Sequence, residues 1–155
     1  MLEITINVDS WAIIGPQAAA IRQQVFVIEQ GIDATEEWDE QDALSRHAIA
    51  LIQLPSQAWA AVGTARLLPS EKTAHGTTLS KIGRMAVLPA YRKQGIGAQL
   101  LQTLIAEARA RQDDEIWLHA QRHACHFYAA QGFTEIGPPF IEAGIPHVNM
   151  QLLLK

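Results

Sequence analysis

The sequence predicts a mixed α/β (α+β) fold, with about seven strands in one sheet flanked by helices. Three observations carry that reading. Apolar residues make up 48% and charged residues 18% of the 155 positions, the balance of a globular protein. Apolar strand-like stretches alternate with helical ones along the chain. The stretch Gly95–Arg111 puts Ile96, Leu100, Leu101, Leu104, Ile105 and Ala108 on one side of a helix. The length suits one domain over residues 1–155.

Glu3–Val8 reads as the first strand, in an N-terminus that alternates from Met1 to Thr5. A helical stretch opens at Ser10 or at Gly15-Pro16 and runs to about Glu29. Ile21, Val25 and Ile28 lie on one of its faces, and Gly31 stops it. The acidic run from Glu36 to Asp42 reads as a loop or short helix. His47–Leu54 and Trp59–Leu68 are neighbouring strands joined through Pro55-Ser56, and Leu79–Leu88 is a fourth, ended by Pro89. The Gly95–Arg111 helix follows, with Arg109 and Arg111 suiting the negative end of its dipole. Ile116–Ala120 is a short fifth strand, and His123–Gln131 a short helix stopped by Gly132. Phe133–Gly137 and Pro146–Leu154 complete the sheet, with Pro138-Pro139 between them.

Several function classes fall away. No apolar run approaches the ~20 residues of a spanning helix. The N-terminus lacks the basic-then-apolar layout of a secretory signal, which points to the cytoplasm and away from a membrane. Cys125 is alone, which excludes an internal disulfide and reads as a small helical core residue. The six histidines show no H-E-x-x-H spacing, so no metal is expected. A net charge of −4 without a basic tract argues against nucleic acid, yet leaves room for an anionic cofactor held by local donors.

The segment Gly83–Ala98 runs strand, sharp turn, glycine loop, helix. The first turn of a helix leaves its N–H groups unpaired, at the positive end of the dipole. Gly95 and Gly97 let a phosphate reach that backbone, and Arg92 and Lys93 add charge beside it. The nucleotide P-loop pattern G-x-x-x-x-G-K-[ST] is absent. A dinucleotide fingerprint fails at Leu100, and the acids Asp113, Asp114 and Glu115 precede the next strand instead of ending it.

Arg92-x-x-Gly95-x-Gly97 at this junction resembles the [RQ]-x-x-G-x-[GA] signature of the GNAT superfamily of acetyl-coenzyme A-dependent N-acyltransferases. The resemblance extends upstream over Met85–Tyr91. It extends downstream over Gln121–Phe133, which is similar to that family's N-x-x-A-x-x-x-Y-x-x-x-G-F segment with Gln121 in place of Asn. Arg22 to Ile32, then Glu37-Trp38-Asp39-Glu40-x-Asp42, His47 and the stretch Phe140–Met150, resemble a bacterial branch typified by ElaA-like and YjcF-like members.

The resemblance implies a mostly antiparallel sheet with a V-shaped splay between the fourth and fifth strands, Leu79–Leu88 and Ile116–Ala120. It implies that acetyl-coenzyme A binds there, its pantetheine arm pairing with Met85, Ala86 and Val87. The pyrophosphate would sit on Arg92, Lys93, Gln94, Gly95, Ile96, Gly97 and Ala98, with Gln121 and Tyr128 also touching the cofactor. Tyr128 is the expected acid for the leaving thiolate. A backbone N–H from Met85 to Val87 is an expected oxyanion donor. Glu29, His119, His147 and a water chain are the alternatives for the base. Glu29 stands out because a carboxylate at a helix C-terminus opposes the dipole.

The acidic Glu36–Asp42 run is read either as an attractor for a cationic amine or as a solvated loop, with Trp38 as its anchor or as a pocket wall. The expected function is transfer of an acetyl group to a primary amine of a small molecule or peptide. A non-catalytic acyl-coenzyme A sensor is the alternative, and a nicotinamide-dependent oxidoreductase a third. Family members commonly form homodimers, though no stripe here specifies an interface.

Overall fold

A computed structural model describes residues 3–155; Met1 and Leu2 lie outside the described residues. The chain runs β1 (Ile4–Ser10), α1 (Trp11–Arg22), α2 (Ala34–Glu37), β2 (Arg46–Gln53), β3 (Trp59–Leu67), β4 (Glu71–Lys72), β5 (Thr78–Val87), α3 (Ile96–Ala110), β6 (Glu115–Gln121), α4 (Cys125–Ala130), β7 (Thr134–Glu142) and β8 (Ile145–Leu153). Seven strands follow the order β1-β2-β3-β5-β6-β8-β7, with the two-residue β4 paired to β5. Every pairing is antiparallel except β5 with β6. The mixed, mostly antiparallel sheet is as expected, with β4 as an eighth strand that the pattern did not show.

The two sheet faces follow from strand alternation. Ala48, Ala50 and Ile52 of β2 face the stripe of α3 formed by Leu100, Leu101, Leu104 and Ala108. Ile49 faces the other way, toward Ile14, Ala18, Ile21 and Val25. The expected single helix to Glu29 is instead α-helical only to Arg22 and π-helical from Gln23 to Glu29. Such widened turns occur mostly at functional sites. This one ends beside the cleft described below. In the preceding α1, a Cβ at Gly15 would meet the Trp11 ring at 3.0 Å.

The two prolines do not separate strands. Pro138 and Pro139 lie inside β7, at a register irregularity between Ile136 and Phe140. That is allowed because β7 is an edge strand, where a missing N–H need not face a partner.

Candidate functional site

β5 and β6 pair only at Leu79–Glu115, Ser80–Ile116 and Lys81–Trp117. Beyond Trp117, β6 stays paired to β8 as far as Gln121, while β5 stays paired to β3 as far as Val87. The strands therefore splay, and the β5 edge from Ile82 to Val87 has no partner in β6. A β-bulge adds one residue to β5 between Gly83 and Ala86, and Arg84 takes φ +48° there. Bulges bend and re-aim strands beside sites. The cleft so opened has a volume of about 1890 Å³.

At the upper rim, the N–H groups from Lys93 to Ala98 donate to no acceptor among the described residues. Lys93 has φ +64° and Gly95 φ +84°, which turns successive amides into a concave row. No atom lies within 4 Å of a Cβ built at Gly95, so the glycine is there for its φ. At Gly97 a Cβ would touch Phe127 at 3.4 Å. Ile96 is buried in the core and offers only its N–H. This row of bare amides at the head of a 15-residue helix fits a diphosphate.

Arg92 is not free beside that row. Its Nη1 and Nη2 donate to Glu29 Oε2 and Oε1 at 2.7 and 2.6 Å, and its Nε donates to Val87 O at 2.9 Å. The Arg92 hydrogen bonds hold the Glu29 carboxyl below its ordinary range, which weakens it as a proton acceptor. The neighbouring Gln30 exchanges two amide hydrogen bonds with Gln121, at 2.9 and 3.1 Å, across the mouth of the splay. The end of the π-helical segment thus touches both walls of the cleft.

Tyr128 is partly buried in α4, with its ring edge-on to Phe127 and Phe133. Its hydroxyl makes no hydrogen bond to the described residues and lines the cleft. Burial, aided by Cys125, pushes its phenol up to about 12, so the proton is retained at neutral pH. His147 is buried in β8 opposite Gln121, and its Nδ1 meets Ile145 O at 2.7 Å. The structure thus brings Tyr128, His147, Gln121, Arg92, Lys93, Gly95 to Ala98 and Met85 to Val87 around one cleft, with Glu29 paired at its rim, whereas Gln94 does not line it.

The acidic run is divided: Glu36 and Glu40 are exposed to solvent, whereas Glu37, Asp39 and Asp42 are tied to arginines. Arg22 Nε donates to Glu37 Oε2 at 2.7 Å, and Arg22 Nη1 to Asp42 Oδ1 at 2.8 Å. Arg66 Nη1 bonds Asp39 at 2.7 Å and Asp42 at 3.1 Å, and Arg84 reaches Glu37 and Asp39. Trp38 anchors the segment: its ring lies 4.9 Å from the Arg22 guanidinium, with Trp11 at 5.3 Å. Burial raises the Glu37 carboxyl despite Arg84 and Arg22. It also lowers the Arg84 guanidinium, with Arg66 adding to the effect. Sequence reading missed this network. Its one available signal was Arg22 amid the apolar helix positions, since a buried arginine requires acids.

Among the described residues, no group of three or more His, Cys, Asp or Glu side chains could hold a metal ion. No helix among them is long and apolar enough to cross a membrane.

Comparison with known proteins agrees with this geometry. The family model described as the acetyltransferase (GNAT) domain matches residues 28–154. The uncharacterised N-acetyltransferase YjcF of Bacillus subtilis is 30% identical over 131 residues, 84% of this chain and 86% of that protein. The crystal structure of a Lactobacillus plantarum protein superposes with a TM-score of 0.82 at 30% identity, covering 98% of this chain and 99% of that one. Escherichia coli ElaA superposes with a TM-score of 0.76 at 25% identity, over 95% and 98% of the two chains.

Proposed function

The chain belongs to the GNAT acetyltransferase family, and we propose that it moves an acetyl group from acetyl-coenzyme A directly to a primary amine of a small molecule or peptide. The observation that carries this is the row of unpaired amides from Lys93 to Ala98, set beside the open edge of β5. We read residues 1–155 as one cytoplasmic catalytic unit.

Acetyl-coenzyme A would supply an activated acetyl group on a thioester whose sulfur leaves as a thiol. The amides from Lys93 to Ala98, with the charge of Lys93, would hold its diphosphate. Arg92 is spent on Glu29, so its part is to fix the loop against Val87. Met85, Ala86 and Val87 would pair with the pantetheine arm as an added strand does, and an N–H among them would donate to the thioester oxygen. Gln121 would give its amide to the arm, which it can do once released by Gln30.

Tyr128 is the acid in this reading. Burial, which pushes the phenol up to about 12, makes it a weaker acid than an ordinary thiol. Tyr128 therefore acts by hydrogen-bonding the departing sulfur. It gives up its proton fully only as it regains one from the acceptor nitrogen. Of the base candidates, His147 is favoured over Glu29. The hydrogen bond to Ile145 O fixes the hydrogen on Nδ1 and leaves a lone pair on Nε2 in the neutral ring.

Release of coenzyme A thiol, followed against a panel of primary amines with product masses read in parallel, tests the proposal. An acetylated amine and matching thiol release are expected. Binding of acetyl-coenzyme A with no turnover on any amine would make the protein a sensor instead.

A further inference from the structure

Glu142, the last residue of β7, places a carboxylate between two imidazoles, one from the adjacent β8 and one from β6 beyond it. His119 Nδ1 in β6 donates to Glu142 Oε1 at 3.0 Å. His147 Nε2 in β8 lies 3.7 Å from Glu142 Oε2. The second distance is too long for a hydrogen bond. It also joins two acceptors, because Nδ1 of His147 already holds the hydrogen that bonds Ile145 O at 2.7 Å. A lone pair and a carboxylate oxygen facing each other across such a gap call for a shared donor. An N–H cation set off the line between them reaches both at ~2.9 Å.

The pair is held in place from two sides. The Phe140 ring stacks on His147 with centroids 5.8 Å apart and meets the His119 ring edge-on at 5.2 Å. Asn149 lies directly across from His119 in the β6–β8 pairing, and its buried Oδ1 has no partner. It adds a third unfilled acceptor to the same sheet face. The His119 hydrogen bond holds the Glu142 carboxyl below its ordinary range, against burial, with His147 and Arg84 adding to it. The carboxylate is therefore charged throughout the neutral range.

We propose that Glu142 Oε2 and His147 Nε2 form the ammonium subsite of the acceptor, so that the protein selects cationic primary amines and deprotonates them where they bind. The inference rests on the acetyl-transfer reading above. In the proton step one N–H bond of the ammonium breaks, and its electron pair stays on the amine nitrogen. The Nε2 lone pair takes the proton, and the resulting imidazolium is balanced by Glu142. His119 is a positioning residue that holds the carboxylate toward His147.

The test is a titration of the imidazole nitrogen resonances, read with methylammonium and benzylammonium and, as neutral controls, methanol and benzyl alcohol. The protein is the full chain with coenzyme A present, and coenzyme A affinity is measured separately by calorimetry. The His147 Nε2 resonance is expected to move with both cations and with neither alcohol. Glu142→Gln should weaken that response about tenfold, and Glu142→Asp should restore part of it. Coenzyme A affinity should change by less than about twofold in either variant. No response to either cation, an equal response to the alcohols, or an undiminished response in Glu142→Gln overturns the proposal. If coenzyme A binds and the cations do not, the subsite is wrong and the acetyl-transfer reading stands. If the cations bind and coenzyme A does not, the subsite stands and that reading falls.

Discussion

The two ends of the cleft are built by opposite means. The proposed phosphate end is a continuous stretch from Lys93 to Ala98, and what it offers is main chain: bare N–H groups presented by two left-handed residues and a helix start. The proposed acceptor end is made of side chains from separate strands, His119 in β6, Glu142 in β7 and His147 in β8, brought together only by sheet pairing. A phosphate needs little more than oriented amides, which a local pattern supplies. An amine that must be chosen among many needs side chains at particular distances, and those depend on register.

The largest expected break in this comparison lies under the acceptor end. Arg22 is 1% exposed and serves both Glu37 and Asp42. Arg22→Ala leaves the buried Glu37 and Asp42 with only Arg84 and Arg66 as partners and should cost about 3 kcal/mol of unfolding free energy. Urea melts measure it, and a loss under about 1 kcal/mol would mean that the network is dispensable.

Next is the phosphate end. Gly97 lies in the first turn of α3, where an aspartate suits the helix dipole and contacts Phe127 but repels a diphosphate. Gly97→Asp should keep the melting temperature and lower acetyl-coenzyme A affinity at least ~100-fold. Calorimetry showing affinity preserved in the folded variant would separate this loop from the cofactor.

Tyr128 stands between the two ends. Tyr128→Phe should lower turnover about 100-fold at saturating donor while leaving donor affinity within about twofold. Unchanged turnover would remove Tyr128 from the chemistry.

The smallest effect is a control at the far end of α3. Ser70, Ser80 and Arg111 hydrogen-bond Asp113. These bonds hold its carboxyl below the ordinary range although burial opposes them. A folded value below the unfolded ~3.9 means stability that is full above that pH and lost as pH falls through the folded value. Asp113→Asn should cost about 1 kcal/mol at neutral pH and flatten that part of the acid limb. Melts at neutral and acid pH check this, and acetyl-coenzyme A affinity should not move.

The same contrast explains what the sequence disclosed. The α3 stripe and the strand–loop–helix junction were legible because each depends on neighbours within one or two turns, whereas Tyr128 was singled out by the family resemblance of Gln121–Phe133. The π-helical turn from Gln23 was not, since its residues carry an ordinary helical pattern. Nor was the path of β7 through Pro138-Pro139, because only sheet order tells that β7 is an edge. The role of Glu37, Asp39 and Asp42 was hidden because their partners Arg22, Arg66 and Arg84 come from α1, β3 and β5. Glu142 was legible only as part of the Phe140–Met150 stretch, since the two histidines beside it, His119 and His147, come from β6 and β8. Glu29 drew notice through its unfavourable place at a helix end, and the structure supplies the reason in Arg92.

The central claim is that coenzyme A is gripped by the main chain at the head of α3. Amide nitrogen–proton spectra of the labelled protein, titrated with coenzyme A, test it most directly. The amides from Lys93 to Ala98 should shift together, with Gly95 and Gly97 moving most, and saturate with a single affinity. Saturable binding that leaves those amides where they were would contradict it.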